Sequence, residues 1–202
     1  RWCGRRPVEW LLDAMPVDGR WCLVHATHMT GGEVARMAAS GAVAGLCPIT
    51  EANLGDGVFP APEFLGAGGR FGIGSDSNVL VSLAGELRLL EYSQRLLRRS
   101  RNVVAEPGRS TGLALFGRAL EGGAQALGAA TGIEAGKPAD LVSLDLSAVP
   151  WLPADKVLDH FVFAGGVGVD SVWIAGRRQV RGGRHRNRDA ISARFAGVMA
   201  KL

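Results

Sequence analysis

Two side chains stand out for the chemistry they could perform, the imidazole of His25 and the carboxylate of Asp76. Each follows a short apolar run: Trp21-Cys22-Leu23-Val24 leads into His25, and Phe71-Gly72-Ile73-Gly74-Ser75 leads into Asp76. That is the pattern of buried parallel strands whose carboxyl ends deliver polar groups to one rim. Ligands and catalytic groups of α/β folds gather at such ends. A histidine and a carboxylate sharing a dry, concave site suit general acid–base catalysis or metal ligation. The plainer alternatives are a strand-end histidine bonded to a backbone carbonyl and an aspartate that caps the next helix. His28 follows in the loop after His25, where substrate contact competes with a role in helix entry. His160 and His185 fall in a different part of the chain and read as packing or surface residues. There is no Walker sequence and no complete dinucleotide fingerprint, which removes those chemistries.

The elements that must position these groups alternate. Val8, Leu11, Leu12 and Met15 stripe a short helix ending near Pro16, and Trp21–Val24 is a strand. Thr30-Gly31-Gly32-Glu33 has capping-box spacing, and the helix it starts carries Val34, Met37 and Ala38 on one face. Val43–Cys47 is a second buried strand, and 48–62 reads as a polar loop. A helical turn at Glu63–Ala67 precedes the strand that ends at Asp76, and Leu83, Leu87, Leu90 and Leu97 stripe a longer helix. A loop over 102–111 and a helix over Leu113–Leu127 complete the rhythm. Strand–helix repetition with short connections predicts a parallel sheet with right-handed crossovers, as in part of a (β/α)₈ barrel. From Gly132 the character changes to short strands, 139–144 and 171–176, a hairpin return over Arg177–Arg184 and a final amphipathic helix over Asp189–Leu202. The expected domains are therefore 1–131, barrel-like, and 132–202, a small β module.

The 202 residues carry a net charge of +4, with 47% hydrophobic and 21% charged residues, the balance of an ordinary globular protein. Arginine supplies nearly all the basic charge, in groups at Arg95–Arg101 and Arg177–Arg188. No aromatics interleave them, so they read as solvated faces and nucleic acid is not an expected partner. No apolar run approaches the roughly 18 residues of a membrane span. The opening Arg1-Trp2-Cys3-Gly4-Arg5-Arg6 has no apolar core of a signal peptide behind it, and it lacks a methionine, so a segment upstream is expected. Cys3, Cys22 and Cys47 are odd in number and form no Cys-x-x-Cys. Cys22 and Cys47 sit in apolar runs, as buried free cysteines do. A reducing, cytoplasmic setting without a zinc ribbon is expected.

At this level of detail the residues resemble the amidohydrolase superfamily. The resemblance is carried by His25-Ala26-Thr27-His28, by Gly45-Leu46-Cys47 with Thr50-Glu51-Ala52-Asn53-Leu54-Gly55-Asp56-Gly57, and by Gly74-Ser75-Asp76-Ser77-Asn78. Gly136-Lys137-Pro138-Ala139-Asp140-Leu141-Val142 is similar to the superfamily's return into its small β-sandwich domain. More narrowly, the Thr50–Gly57 stretch resembles the branch that hydrolyses formimino groups. The fold implied is α/β, the carboxyl-terminal part of a metal-dependent (β/α)₈ barrel, about its sixth to eighth strands, followed by part of a β-sandwich.

The resemblance also implies roles. Asp76 would bind a catalytic zinc and shuttle a proton from its water, and His25 would orient or deprotonate that water. His28, Asn53 and Ser77 are the candidate substrate contacts, a role the sequence leaves open for each. The implied reaction is deimination of N-formimino-L-glutamate to N-formyl-L-glutamate and ammonia, a step of histidine breakdown, with a homodimer as the full-length enzyme. The family's remaining zinc ligands, a His-x-His pair and a further histidine with a nearby acid–base glutamate, have no counterpart among His28, His160 and His185. Since a (β/α)₈ barrel takes about 250 residues, the chain is expected to be the carboxyl-terminal half of the enzyme, to bind zinc poorly alone and to expose strand edges. The rivals are a superfamily deaminase with a guanine- or amidine-type substrate and a non-catalytic half-barrel that only binds.

Overall fold

The computed structural model describes residues 4–77 and 80–201. Readings that touch Cys3, Asn78 and Leu202 lie outside the described residues.

Three short strands, β1 (Cys22–Val24), β2 (Val43–Leu46) and β3 (Arg70–Ile73), form a parallel sheet in that order. Their register is unbroken, pairing Val24 with Gly45 and Gly45 with Gly72. The ladder runs slightly past the strand ends: the His25 amide donates to the Gly45 carbonyl (2.8 Å) and the Gly74 amide to the Leu46 carbonyl (2.9 Å). The expected strand–helix alternation is present, with α1 (Pro7–Ala14) and α2 (Gly31–Ser40) flanking β1 in sequence. The predicted capping box of α2 forms, the Glu33 amide donating to the Thr30 hydroxyl and the Thr30 amide to the Glu33 carboxylate. This satisfies two amides that helix geometry leaves without partners.

The core lies between the sheet and its helices. Met37 of α2, Leu46 of β2 and Phe71 of β3 are buried with Leu87 and Leu90 of α5 (Leu83–Arg98) and Leu115 of α6 (Thr111–Leu127). Ser82 caps α5, and Arg95 and Arg98 in its last turn suit the negative end of the helix dipole. The stripe predicted for α5 is narrower than expected, because Leu83 and Leu97 at its ends are exposed. Helix α6 lies directly on β3. A Cβ at Gly122 would sit 2.0 Å from the Phe71 carbonyl oxygen, so only glycine permits this approach.

Three sequence readings need correction. The polar loop expected at 48–62 contains a helix, α3 (Pro48–Leu54), and a second, α4 (Ala61–Gly66), begins within it. Pro48 is preorganised for the first turn of α3, and Gly55 ends it in a left-handed cap. Cys22 is exposed rather than buried, whereas Cys47 is buried as expected. The last helix, α8 (Arg188–Met199), has no buried residue, so its apolar Ile191, Phe195 and Val198 face solvent.

Beyond α6, four strands form an antiparallel sheet: β4 (Leu141–Asp145), β5 (Gly168–Ile174), β6 (Arg177–Arg181) and β7 (Arg184–His185). It is a single sheet, with no second sheet facing it among the described residues. Between β4 and β5 the chain forms α7 (Val157–Phe163), which packs on α5 and α6. Asp159 of α7 accepts from the Gly112 amide (2.8 Å), and Val162 is fully buried. The arginines of 177–188 are exposed, and no helix among the described residues is long and apolar enough to cross a membrane.

Candidate active site

Because β1 and β3 flank β2 in register, their carboxyl ends lie side by side, and so do the residues that leave them. His25 and Asp76 meet across this rim, with His25 Nε2 3.8 Å from Asp76 Oδ2. Both side chains are about one-third exposed, so they are open to a small molecule. His25, Ala26 and Asp76 all have left-handed backbone, with φ of 66°, 51° and 48°. For residues with a Cβ that conformation costs roughly 1–2 kcal/mol each, and such strain concentrates where a side chain must be aimed.

The other ring nitrogen of His25 faces inward. Its Nδ1 lies 3.3 Å from Oε1 of Glu51, which stands in the first turn of α3 and is 4% exposed. The same Oε1 accepts from the Cys47 amide at 2.9 Å. Burial raises the Glu51 pKa above the ordinary carboxylate value, an effect opposed by the Cys47 amide and by His25. Behind it, Glu86 accepts from the Ile49 amide (2.8 Å), and burial raises its pKa as well. Burial, followed by the charges of Glu51, Asp76 and Glu86, pushes the Cys47 thiol up to about 11. At neutral pH Cys47 is therefore a protonated, unreactive thiol.

The remaining sequence candidates are placed less centrally. Ser77 adjoins Asp76, its hydroxyl 3.5 Å from Oδ1. His28 lines, with His25 and Asp56, a cavity of about 490 Å³ beside β1 and α1, and its carbonyl accepts from Arg6. Asp76 is not part of that cavity's lining but lies at the rim beyond it. Asn53 is exposed on α3 and does not line the cavity. Glu51 was not among the sequence candidates, although it contacts the ring of His25. Its signal was available in Cys47-Pro48-Ile49-Thr50-Glu51, where a proline followed by a glutamate marks a helical first turn.

Among the described residues no three His, Cys, Asp or Glu side chains converge to hold a metal ion. The Cys47 thiol is protonated and Nδ1 of His25 is taken by Glu51. A closed or catalytic zinc site needs three or four protein donors, so the described residues do not by themselves make one.

Parallel strands joined through helices, with polar residues leaving their carboxyl ends, have the form of part of an α/β barrel. The family model of the amidohydrolase family matches residues 4–178, and the chain belongs to that family. A formimidoylglutamate deiminase of Pseudomonas aeruginosa is 51% identical over 207 residues, a match covering 100% of this chain and 46% of that protein. The crystal structure of an amidohydrolase from Brucella melitensis superposes with a TM-score of 0.95 at 55% identity, covering 99% of this chain and 45% of the other. An adenosine deaminase of Xanthomonas campestris, solved with zinc bound, gives a TM-score of 0.85 at 28% identity, covering 98% and 46%. The chain thus spans about half the length of the relatives it matches.

Proposed function

We propose that this chain supplies the proton-handling part of a site that deiminates N-formimino-L-glutamate hydrolytically, yielding N-formyl-L-glutamate and ammonia. The observation that carries the reading is the approach of His25 Nε2 to Asp76 Oδ2 at 3.8 Å on the rim of the sheet. The identity to a formimidoylglutamate deiminase supports the choice of substrate. In the reaction the oxygen of water bonds to the imino carbon, the bond from that carbon to the terminal nitrogen breaks, and ammonia leaves. Nε2 of His25 is placed to take a proton from the attacking water. Asp76, facing it, is placed to take the second proton from the hydroxyl of the tetrahedral adduct as the carbonyl forms, so that both protons of the water pass by way of these two groups to the departing nitrogen; general acid–base steps of this kind contribute about 10²–10⁴-fold each.

Zinc comes into this reading from the relative solved with it bound. On this chain Asp76 would be one donor, and the others would have to come from elsewhere in the working enzyme. The substrate is a small molecule, the reaction belongs to histidine breakdown, and the setting is cytoplasmic.

The test is ammonia release by the full-length protein containing this chain, with formiminoglutamate, guanine and adenosine as competing substrates. Preference for formiminoglutamate, lost in His25→Gln and Asp76→Asn, is the expected result. Preference for a purine would replace the substrate, and full activity in both variants would remove the mechanism.

A further inference from the structure

We infer that Glu51 is a positioning residue that fixes the tautomer of His25, holding the proton on Nδ1 and leaving the lone pair on Nε2 toward Asp76. The inference rests on the reading of His25 as the group that takes a proton from water, and it concerns how that ring is made ready.

The geometry is specific about which atom donates. Oε1 of Glu51 already accepts from the Cys47 amide at 2.9 Å, and a backbone amide can only donate. An ionised Glu51 can only accept toward the imidazole as well, so Nδ1, 3.3 Å away, carries the hydrogen. A neutral imidazole with hydrogen on Nδ1 has its free electron pair on Nε2. Nε2 is the nitrogen turned to Asp76 and the rim. The opposite tautomer would present N–H there and could not accept a proton.

The supports of Glu51 are rigid. It is buried in the first turn of α3, its own amide donates to the Cys47 carbonyl, and its carbonyl accepts from Asp56. Cys47 directly follows β2, the strand to which the His25 amide is bonded. Ring and carboxylate are therefore both fixed to the end of the same strand. A side chain with no part beyond packing would not need a carboxylate in this place, since burying one is costly.

The test is NMR of the ¹⁵N-labelled chain at about pH 9, where imidazole is neutral, using long-range correlations within the His25 ring to read which nitrogen is protonated. In the wild type the Nδ1–H form is expected to exceed the Nε2–H form by about tenfold or more, the scale of one hydrogen bond to a charged acceptor. Glu51→Gln keeps a carbonyl oxygen that can accept from both donors and should preserve the ratio. Glu51→Ala should lower the ratio by about tenfold. Glu51→Asp, whose shorter side chain draws back from the ring, makes the same comparison if the alanine variant does not fold.

A wild-type ring protonated on Nε2, or an equal mixture, overturns the inference without any variant. So does a ratio unmoved in both Glu51→Ala and Glu51→Asp, since lost packing alone would change melting temperature and not the tautomer. Either result leaves the choice of reaction and substrate standing, since ammonia release from formiminoglutamate tests that separately. Conversely, a fixed Nδ1–H tautomer together with undiminished ammonia release by His25→Gln in the full-length protein would end the reading of His25 as the base and leave the positioning intact.

Discussion

The loop that carries His25 and His28 is closed by one carboxylate, and its removal should be measurable as a pH-dependent loss of stability. Glu33 is 5% exposed and gathers four donors: the Thr30 amide (2.7 Å) and hydroxyl (3.0 Å), the Glu9 amide (3.1 Å) and the Arg6 guanidinium (2.7 Å). Arg6 in turn donates to the His28 carbonyl. Burial alone would raise the pKa of Glu33, but these donors outweigh it and hold the group at about 2, against an ordinary 4.5. A carboxyl depressed in the folded state contributes stability that is present above the unfolded pKa and lost as pH falls through the folded one. The contribution is about 3 kcal/mol above pH 5, about 1 kcal/mol near pH 3 and close to zero at pH 2. Glu33→Gln keeps the shape and removes the charge. Urea denaturation of both proteins from pH 7 to pH 2 should show a gap of about 2–3 kcal/mol at neutrality that closes on acidification. A gap that stays constant from pH 6 to pH 3, or no gap at pH 7, would refute the assignment of Glu33 as the ionised clasp of this loop.

Three further outcomes follow from the same structure. Gly122→Ala forces a Cβ to within 2.0 Å of the Phe71 carbonyl oxygen and should lower stability by several kcal/mol, about 3 or more. The neighbouring Gly123→Ala meets nothing within 4 Å and should be neutral or stabilise by about 0.5–1 kcal/mol, so a thermal melt of the pair provides its own control. Titration of zinc into this chain followed by calorimetry should give no tight one-to-one binding, because no three donors converge among the described residues; a tight stoichiometric site would contradict the donor count. Peptide-resolved alkylation at pH 7.5 should label exposed Cys22 well before Cys47, whose thiol is buried and held near 11, and equal rates would show that Cys47 is not shielded as described.

The part of the site that was legible in the sequence is the part set by strand ends. An apolar run that stops at a polar residue fixes where a buried strand surfaces, and this is enough to pair His25 with Asp76. Pro48 and Glu51 mark the first turn of α3, but the inward direction of Glu51 was not legible, because α3 spans only Pro48–Leu54, two turns, too short for a helical period to emerge. Its inward carboxylate also contradicts the rule that glutamates lie outside, which is what makes it informative. Helix α7 was missed for a similar reason: seven residues whose packing on α5 and α6 supplies their order. In α8 the failure runs the other way, since an amphipathic helix predicts a buried face and Ile191, Phe195 and Val198 are exposed. Pattern reports the capacity to pack, while packing itself depends on what lies opposite.

The strained backbone at His25, Ala26 and Asp76 shows how fold and site are coupled. Three left-handed residues with side chains would together oppose folding by several kcal/mol, about 3–6. Each lies next to a bond that continues the ladder, His25 to Gly45 on one side and Gly74 to Leu46 on the other. Those bonds draw on the sheet behind them, where Leu46 and Phe71 are wholly buried and α6 rests on β3 at Gly122. The core therefore stabilises a conformation that the rim residues would not adopt alone. That conformation turns His25 Nε2 and Asp76 Oδ2 toward each other, where an extended strand would have sent successive side chains to opposite faces. A glycine at position 25 or 76 would relax the turn but remove the reactive group, so strain and chemistry are fixed in the same residues.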